Sequence, residues 1–172
     1  MADTAAHWRD HVLPRVPMRQ WVLSLPFPLR LLLAYDPRRC TEVLGIFLRT
    51  LFSWQRLRAR RMGILGGQSG TVTAIQRFGS ALNLNVHFHC LCFDGVYVRT
   101  DHQRPPRFQE LPAPTDGEVA QLVAAIHQRV IGHLRKKGLL GEPGHDDPTP
   151  DMLSLDESTL AAFYSASIQG RV

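Results

Sequence analysis

Apolar and polar residues alternate along this chain with two periods, and the two periods predict different elements. A period of two, in segments rich in β-branched and aromatic residues, is typical of strands. It predicts strands near residues 18–25, 71–78, 84–93, 96–100 and 108–111.

Apolar residues that recur every three or four positions predict two long helices. The first begins with Asp36 as N-cap and Pro37 in its first turn, and it extends to about residue 62. The second opens with a capping box formed by Thr115 and Glu118, and it ends at Gly138. Shorter helical segments are predicted near 29–34 and 154–164.

Sequential strands combined with long helices favour an α+β fold, with an antiparallel sheet of about four to five strands and helices packed mainly on one face. The dipeptide Asp94-Gly95 is a strong hairpin signal, which predicts that the third strand pairs with the fourth. We divide the chain into an N-terminal arm (1–17), a core (18–138), an acidic Pro- and Gly-rich linker (139–153) and the start of a C-terminal helical segment (154–172).

The third predicted strand carries the candidate chemistry. Side chains on a strand alternate between its two faces, so His87 and His89 point the same way. Two neutral imidazoles on a rigid strand form a bidentate clamp for a metal ion. The third ligand must come from elsewhere in the fold. Gln76 is our candidate for it, and Gln20 and Glu110 are alternatives.

Positive charge is concentrated in the first third of the chain. The formal net charge is +5, and residues 1–62 contain 11 Arg but only 4 acidic residues. Arginine is suited to bidentate phosphate contacts and to stacking on bases, so we expect a polyanionic partner. The helix dipole also favours cations near the end of a helix. We expect DNA contacts from the first long helix, through Arg49, Arg56, Arg58, Arg60 and Arg61.

The composition argues against several other classes of protein. Three cysteines are an odd number and do not suggest a disulfide framework. No apolar run reaches the length of a transmembrane helix, and the first residues lack the pattern of a signal peptide. We therefore expect a cytoplasmic protein.

His87-Phe88-His89 resembles the His-hydrophobic-His signature of the HUH endonucleases. Together with residues 19–26, 83–86 and 94–97, it is similar to the two-tyrosine rolling-circle insertion-sequence transposases, over roughly residues 8–135. The resemblance implies that the histidines and a third ligand hold Mg²⁺ or Mn²⁺ against single-stranded DNA at the ends of the element. It also implies a tyrosine that becomes linked to the 5′-phosphate, and a bacterial, nucleoid-associated protein.

The chain departs from that family in two respects. The family has an N-terminal cysteine-rich zinc module and a pair of tyrosines downstream of the histidines, and the sequence shows neither. The tyrosines here are Tyr35, Tyr97 and Tyr164, and Tyr164 is the candidate nucleophile among them. We therefore expect an internal fragment of a transposase that binds the metal but does not nick DNA.

Three alternatives compete with this interpretation. A cupin-like site also uses His-x-His on a strand, but cupins are all-β, and the two long helices argue against that class. A structural zinc site would need Cys90 and Cys92, which alternate to the other face of the strand. A non-catalytic α+β module that binds single-stranded nucleic acid would need the basic helix but no metal. Loss of metal-dependent stabilisation on replacing His87 and His89 would argue for the metal site.

Overall fold

The computed structural model describes residues 7–79, 83–101 and 103–140, without the side chains of Trp8 and Arg9. A π-helical turn at Trp8–Val12 comes first. The strands and helices that follow confirm the predicted α+β fold. In chain order they are β1 (Met18–Ser24), α1 (Phe27–Tyr35), α2 (Pro37–Arg61), β2 (Thr71–Phe78), β3 (Leu84–Phe93), β4 (Gly95–Val98), β5 (Arg107–Glu110) and α3 (Asp116–Lys136).

Strand β3 is the centre of a three-stranded antiparallel sheet in the order β1-β3-β2. Its register with β1 is continuous from Met18 opposite Phe93 to Ser24 opposite His87. Its register with β2 is continuous from Thr71 to Gln76 and then shifts before Phe78. Because β3 is hydrogen-bonded along both edges, the face to which each of its side chains points is fixed.

The α-helices pack against one face of this sheet, as predicted. That face presents Val86, Phe88, Cys90 and Cys92, each with 0% of its surface exposed. One continuous core joins these side chains to apolar residues of all three helices, among them Leu29, Leu33, Val43, Phe47, Leu51, Leu122, Ile126 and Leu134. Burial of this apolar surface is the main driving force for the fold.

Both long helices begin with the predicted caps. The Asp36 carboxylate accepts hydrogen bonds from the backbone N–H groups of Arg38 and Arg39. Thr115 and Glu118 form the reciprocal capping box at the start of α3. These caps satisfy N–H groups that have no partner within the helix.

Polar contacts join α2 and α3 side by side. Glu42 accepts a hydrogen bond from His133 Nε2 at 2.8 Å, and Thr50 accepts one from Arg129 Nη1 at 2.8 Å. The hydrogen bonds from His133 and Arg39 lower the pKa of Glu42 to about 2. The contacts follow in opposite chain directions, so the two helices are antiparallel.

The predicted hairpin between β3 and β4 is wrong. Strand β4 pairs with β5 in a separate two-stranded sheet, so the five strands form sheets of three and two. Asp94 alone separates β3 from β4, and its backbone N–H and C=O bond to Pro17 and Leu111. A Cβ atom on Gly95 would lie 2.3 Å from the Gln109 carbonyl oxygen, so glycine is needed there for the close approach of β5.

An ion pair holds the corner at Asp94. Arg19 donates from Nε and Nη2 to the two oxygens of the Asp94 carboxylate, at 3.1 and 2.7 Å. Asp94 is 5% exposed, so its charge is almost removed from water. This contact spans 75 residues of sequence, which is why a local turn signal did not reveal it.

Several predicted segments lie outside the described residues. They include the linker at 139–153 except for 139 and 140, the C-terminal segment at 154–172 with its predicted helix, and Tyr164. Among the helices that the structure describes, none is long and apolar enough to cross a membrane.

Replacing Arg19 with Met should lower the free energy of unfolding by about 3 kcal/mol, because a buried carboxylate that loses a bidentate charged donor is destabilised. Urea denaturation measures this change. Arg15, four residues earlier and exposed, provides the control, and Arg15→Met should change stability by less than about 0.5 kcal/mol. An Arg19→Met variant as stable as the wild type would show that the ion pair does not hold this corner.

Candidate functional site

The odd-numbered residues of β3 form a second face of the sheet, away from the helices. We call it the histidine face. His87, His89, Leu91 and Phe93 form its central row. Ser24, Val22 and Gln20 of β1 flank this row on one side, and Gln76, Ala74 and Val72 of β2 flank it on the other. The alternation predicted for the two histidines is confirmed.

The cysteines of β3 point into the core instead. Burial raises the pKa of the Cys90 thiol and raises that of Cys92 to about 11. Both cysteines alternate with His87 and His89 along β3 and are 0% exposed, so they lie on the opposite face from the imidazoles. The four residues therefore do not converge on one zinc site. Among the described residues, no group of three or more His, Cys, Asp or Glu side chains could hold a metal ion.

The two imidazoles are adjacent, with ring centroids 4.8 Å apart and an angle of 62° between the ring planes. His87 is 8% exposed, and its Nδ1–H donates to the carbonyl of Asn85 at 2.7 Å. This bond fixes the ring orientation and leaves the lone pair on Nε2. Metal-binding histidines commonly use this arrangement, in which one nitrogen donates to a carbonyl and the other binds the ion.

His89 is held by Gln20. The Gln20 amide nitrogen lies 2.7 Å from His89 Nδ1 and donates to it, so the neutral ring carries its hydrogen on Nε2, which is buried without a hydrogen-bond partner. A 180° turn of the Gln20 amide would place its oxygen against Nδ1–H and leave the lone pair on Nε2 for a metal ion. Burial, followed by the charge of neighbouring His87, lowers the pKa of His89, which favours the neutral ring that a metal requires. Asn85 Oδ1, on the same face, is also buried without a partner. A metal ion or a ligand would satisfy such orphaned atoms.

The three candidate third ligands occupy different positions. Gln76 is directly opposite His87, and its Nε2 donates to the Phe78 carbonyl, which leaves Oε1 available. Amide oxygens are suitable ligands for hard divalent cations. Gln20 already contacts His89, and Glu110 lies opposite Gly95 in the second sheet. Two imidazoles and one amide oxygen are donors of a kind that suits a divalent cation, and Gln76 is the candidate third ligand that pairs directly opposite His87.

The predicted arginine cluster divides into exposed and buried members. Arg49, Arg56, Arg60 and Arg61 are exposed, and no ion pair to another described residue is found for them. The first three lie within about 40° of one another around the helix axis and span about 16 Å along it. We call these three the arginine stripe.

Arg58 points to the opposite side of α2 and is 8% exposed. Its guanidinium donates to Glu118 at 3.0 Å and to the Pro112 carbonyl at 2.8 Å, and it lies 4.8 Å from the centroid of the Trp54 ring. Trp54 itself packs edge-on against Trp21. Arg58 therefore lies in the interface between α2 and the start of α3. It is not exposed to DNA as predicted, and we leave it out of the DNA-binding surface proposed below.

The histidines and the arginine stripe lie on opposite sides of the molecule. Helix α2 packs on the core face of the sheet through Phe47 and Leu51, and the stripe is on the far side of that helix. The sheet and the core therefore separate the stripe from His87 and His89. This separation could have been predicted from the sequence, because the arginines of the stripe lie on the opposite side of the helix from Phe47 and Leu51.

Neither described tyrosine makes a ring contact with His87 or His89. Tyr35 ends α1 and is 84% exposed. Tyr97 contacts Phe93 and Phe108, with ring centroids 5.3 Å away in each case. Phe93 is four residues along β3 from His89, which corresponds to about 13 Å. The sequence did not reveal this aromatic trio because it depends on the unpredicted pairing of β4 with β5.

A comparison with models of protein families matches residues 70–159, just over half of the 172 residues, to a family described as "Putative transposase". The match begins at β2 and includes Gln76, both histidines and the aromatic trio. Searches of curated proteins and of solved structures gave no match.

Two arginines on α2 provide a matched test of the internal, structural role of Arg58. Arg58→Gln should lower the free energy of unfolding by about 2 kcal/mol, because Glu118 and the Pro112 carbonyl lose a charged donor. Arg56→Gln, two residues earlier and exposed, should change it by less than about 0.5 kcal/mol. Thermal and urea denaturation measure both variants, and equal effects would contradict the internal role of Arg58.

Proposed function

Because the chain belongs to this family of transposases, we propose that its histidine face is a metal-dependent site for nicking and joining single-stranded DNA at the ends of a mobile element. We further propose that it is of the HUH, two-tyrosine rolling-circle type. The observation that supports this most is the pair of adjacent imidazoles on β3, with His87 fixed by a backbone carbonyl and His89 Nε2 buried without a partner.

His87 and His89 would hold Mg²⁺ or Mn²⁺, with Gln76 as the third ligand. Bound there, the ion would polarise a phosphoryl oxygen and orient an in-line displacement. The chain's own contribution is preorganisation. The Asn85 carbonyl and the Gln20 amide restrain the two rings, and β3 holds them on a strand paired at both edges. Mixed nitrogen and oxygen donors favour Mn²⁺ over Mg²⁺.

The nucleophile of the proposed reaction is a tyrosine. Its oxygen forms a bond to the 5′-phosphate while the bond to the 3′-oxygen breaks, so the phosphodiester energy is kept for strand joining. Tyr35 and Tyr97 contact neither histidine in the described structure, and Tyr97 is engaged in the aromatic trio. Tyr164 lies outside the described residues and is the remaining candidate in this chain. Because the sequence lacks the tyrosine pair of the two-tyrosine type, we expect this chain to bind the metal without nicking DNA.

The arginine stripe is proposed to bind the phosphate backbone of DNA. Its three guanidinium groups are exposed on one side of a rigid helix and can follow several successive phosphates. Because the core separates the stripe from the histidines, the phosphates bound by the stripe are distant from the one that is cut. DNA binding of this kind would also associate the protein with the bacterial nucleoid.

The metal site can be tested by calorimetry with Mn²⁺. His87→Ala/His89→Ala should abolish binding, and Gln76→Ala should weaken it, because each loses a ligand. His7 and His11 form a second adjacent pair of rings, with centroids 5.2 Å apart, so His7→Ala/His11→Ala is the matched control and should bind normally. Binding that survives loss of His87 and His89 would instead support the non-catalytic nucleic-acid-binding module.

The arginine stripe can be tested through the salt dependence of DNA binding. Arg49→Gln/Arg56→Gln/Arg60→Gln should weaken binding at every sequence and lower the slope of log K against log salt by roughly 2 to 3. Arg135→Gln/Lys136→Gln/Lys137→Gln removes the same charge from an exposed segment at the end of α3 and is the control. Fluorescence anisotropy measures both, and equal slopes for the two variants would show that the DNA is bound elsewhere.

A further inference from the structure

A patch of partly exposed aromatic side chains adjoins the histidine face. It consists of Phe93, which ends the central row of that face, and of Tyr97 and Phe108 from the second sheet. The three rings pack edge to face, with centroids 5.3 to 6.5 Å apart. Each side chain is only partly buried, unlike the aromatic residue Phe88 in the core, which is 0% exposed.

The backbone around these rings keeps them in place. The N–H and C=O of Tyr97 bond to Gln68, at 2.7 and 2.9 Å, so Tyr97 and Phe108 form a non-hydrogen-bonded pair between β4 and β5. In such pairs the side chains are at their closest. Two glycines make room for the rings. A Cβ on Gly70 would lie 3.0 Å from the Phe93 ring, and one on Gly95 would lie 2.5 Å from the Phe108 ring.

We propose that Phe93, Tyr97 and Phe108 form a stacking platform for the bases of the single-stranded DNA whose phosphate lies at His87 and His89. Rigid, partly exposed rings on a sheet face are the usual means of binding unpaired bases. The proposal rests on the proposed function for the identity of the strand.

Position and charge both support a nucleic-acid strand as the occupant. Leu91 and Val72, the latter 36% exposed, continue the apolar surface from the platform towards the histidines. The distance of about 13 Å along β3 from His89 to Phe93 is bridged by a few nucleotides of an extended strand. Arg99 and Arg107 are exposed at the ends of β4 and β5, where they can meet phosphates. Arg104, in the loop between these strands, is paired with Asp101.

The two DNA-binding surfaces would then act differently. The arginine stripe offers charge without exposed rings, because the aromatic side chains of α2 (Phe47, Phe52 and Trp54) are buried or half-buried. Trp54 packs against Trp21 and Arg58, on the opposite side of the helix from the stripe. Its contribution to affinity should depend on salt and not on bases. The platform offers rings, so its contribution should depend on bases and little on salt. This difference provides the test.

The experiment compares a short oligothymidylate with an abasic oligomer of equal length by fluorescence anisotropy, in EDTA, so that the outcome does not depend on the metal. The wild type should bind the oligothymidylate at least about 30-fold more tightly, as expected for two stacked bases. Tyr97→Leu/Phe108→Leu should lose this preference without a change in salt slope, whereas Tyr97→Phe should keep it. Equal affinity of the wild type for both oligomers would overturn the proposal.

Phe27→Leu/Tyr35→Leu is the matched control, since it removes two aromatic rings that are 62% and 84% exposed on α1. This variant should retain the preference for oligothymidylate over the abasic oligomer. Loss of that preference in this variant would contradict the placement of the platform. Metal binding that is unaffected by loss of His87 and His89, with the base preference intact, would contradict the proposed catalytic site and leave the platform in place.

A second measurement uses the unmodified protein, so that it does not depend on the folding of a variant. Photo-crosslinking to oligomers that carry 5-bromodeoxyuridine should attach the DNA at Phe93, Tyr97 or Phe108, as mapped by mass spectrometry. Attachment at the aromatic residues of α1 or at Trp54 instead would overturn the proposal. The folded Tyr97→Leu/Phe108→Leu variant could instead keep its base preference but sediment differently from the wild type. That result would show that the patch is a contact between two copies of this chain.

Discussion

The alternation of side chains along β3 is the constraint on which the other features depend. Every second residue from Val86 to Cys92 is buried completely against the helices, so the residues between them must point the other way. Burial of each such large side chain contributes about 1.5 to 3 kcal/mol, and a slip of one residue would forfeit all of them together. The positions of His87 and His89 are therefore determined by the core.

The histidine face carries polar groups that a purely structural sheet would avoid. His87 is 8% exposed and keeps one good hydrogen bond, but His89 Nε2 and Asn85 Oδ1 are buried without one. Each unsatisfied group costs about 1 to 3 kcal/mol relative to its hydrated state. Conflicts of this kind between local stability and side-chain choice are expected where a protein binds a ligand. They occur here beside the two imidazoles, where the proposed metal would satisfy them.

Local signals in the sequence predicted much of this fold. The bounds of β2 and β3, the N-cap at Asp36 and the capping box at Thr115 follow from alternation and from hydrogen bonds between residues close in sequence. The Asp94-Gly95 signal failed because Arg19, 75 residues away, binds the Asp94 carboxylate. The position of Arg58 depends in the same way on Glu118, which is 60 residues away. Contacts at such separations have no periodic signature, so a single sequence does not reveal them.

Burial of all three cysteines has a consequence for the study of this molecule in solution. Cys40, Cys90 and Cys92 are at most 1% exposed, and burial raises the pKa of each thiol, so little thiolate is present and reagents cannot reach it. A cysteine introduced at the exposed positions of Ser53, beside the arginine stripe, or Ala74, on the histidine face, would then be the single reactive thiol of the folded chain. Fluorophores attached there would report from opposite sides of the sheet, so the path of a DNA strand around the protein becomes measurable by energy transfer without a cysteine-free background.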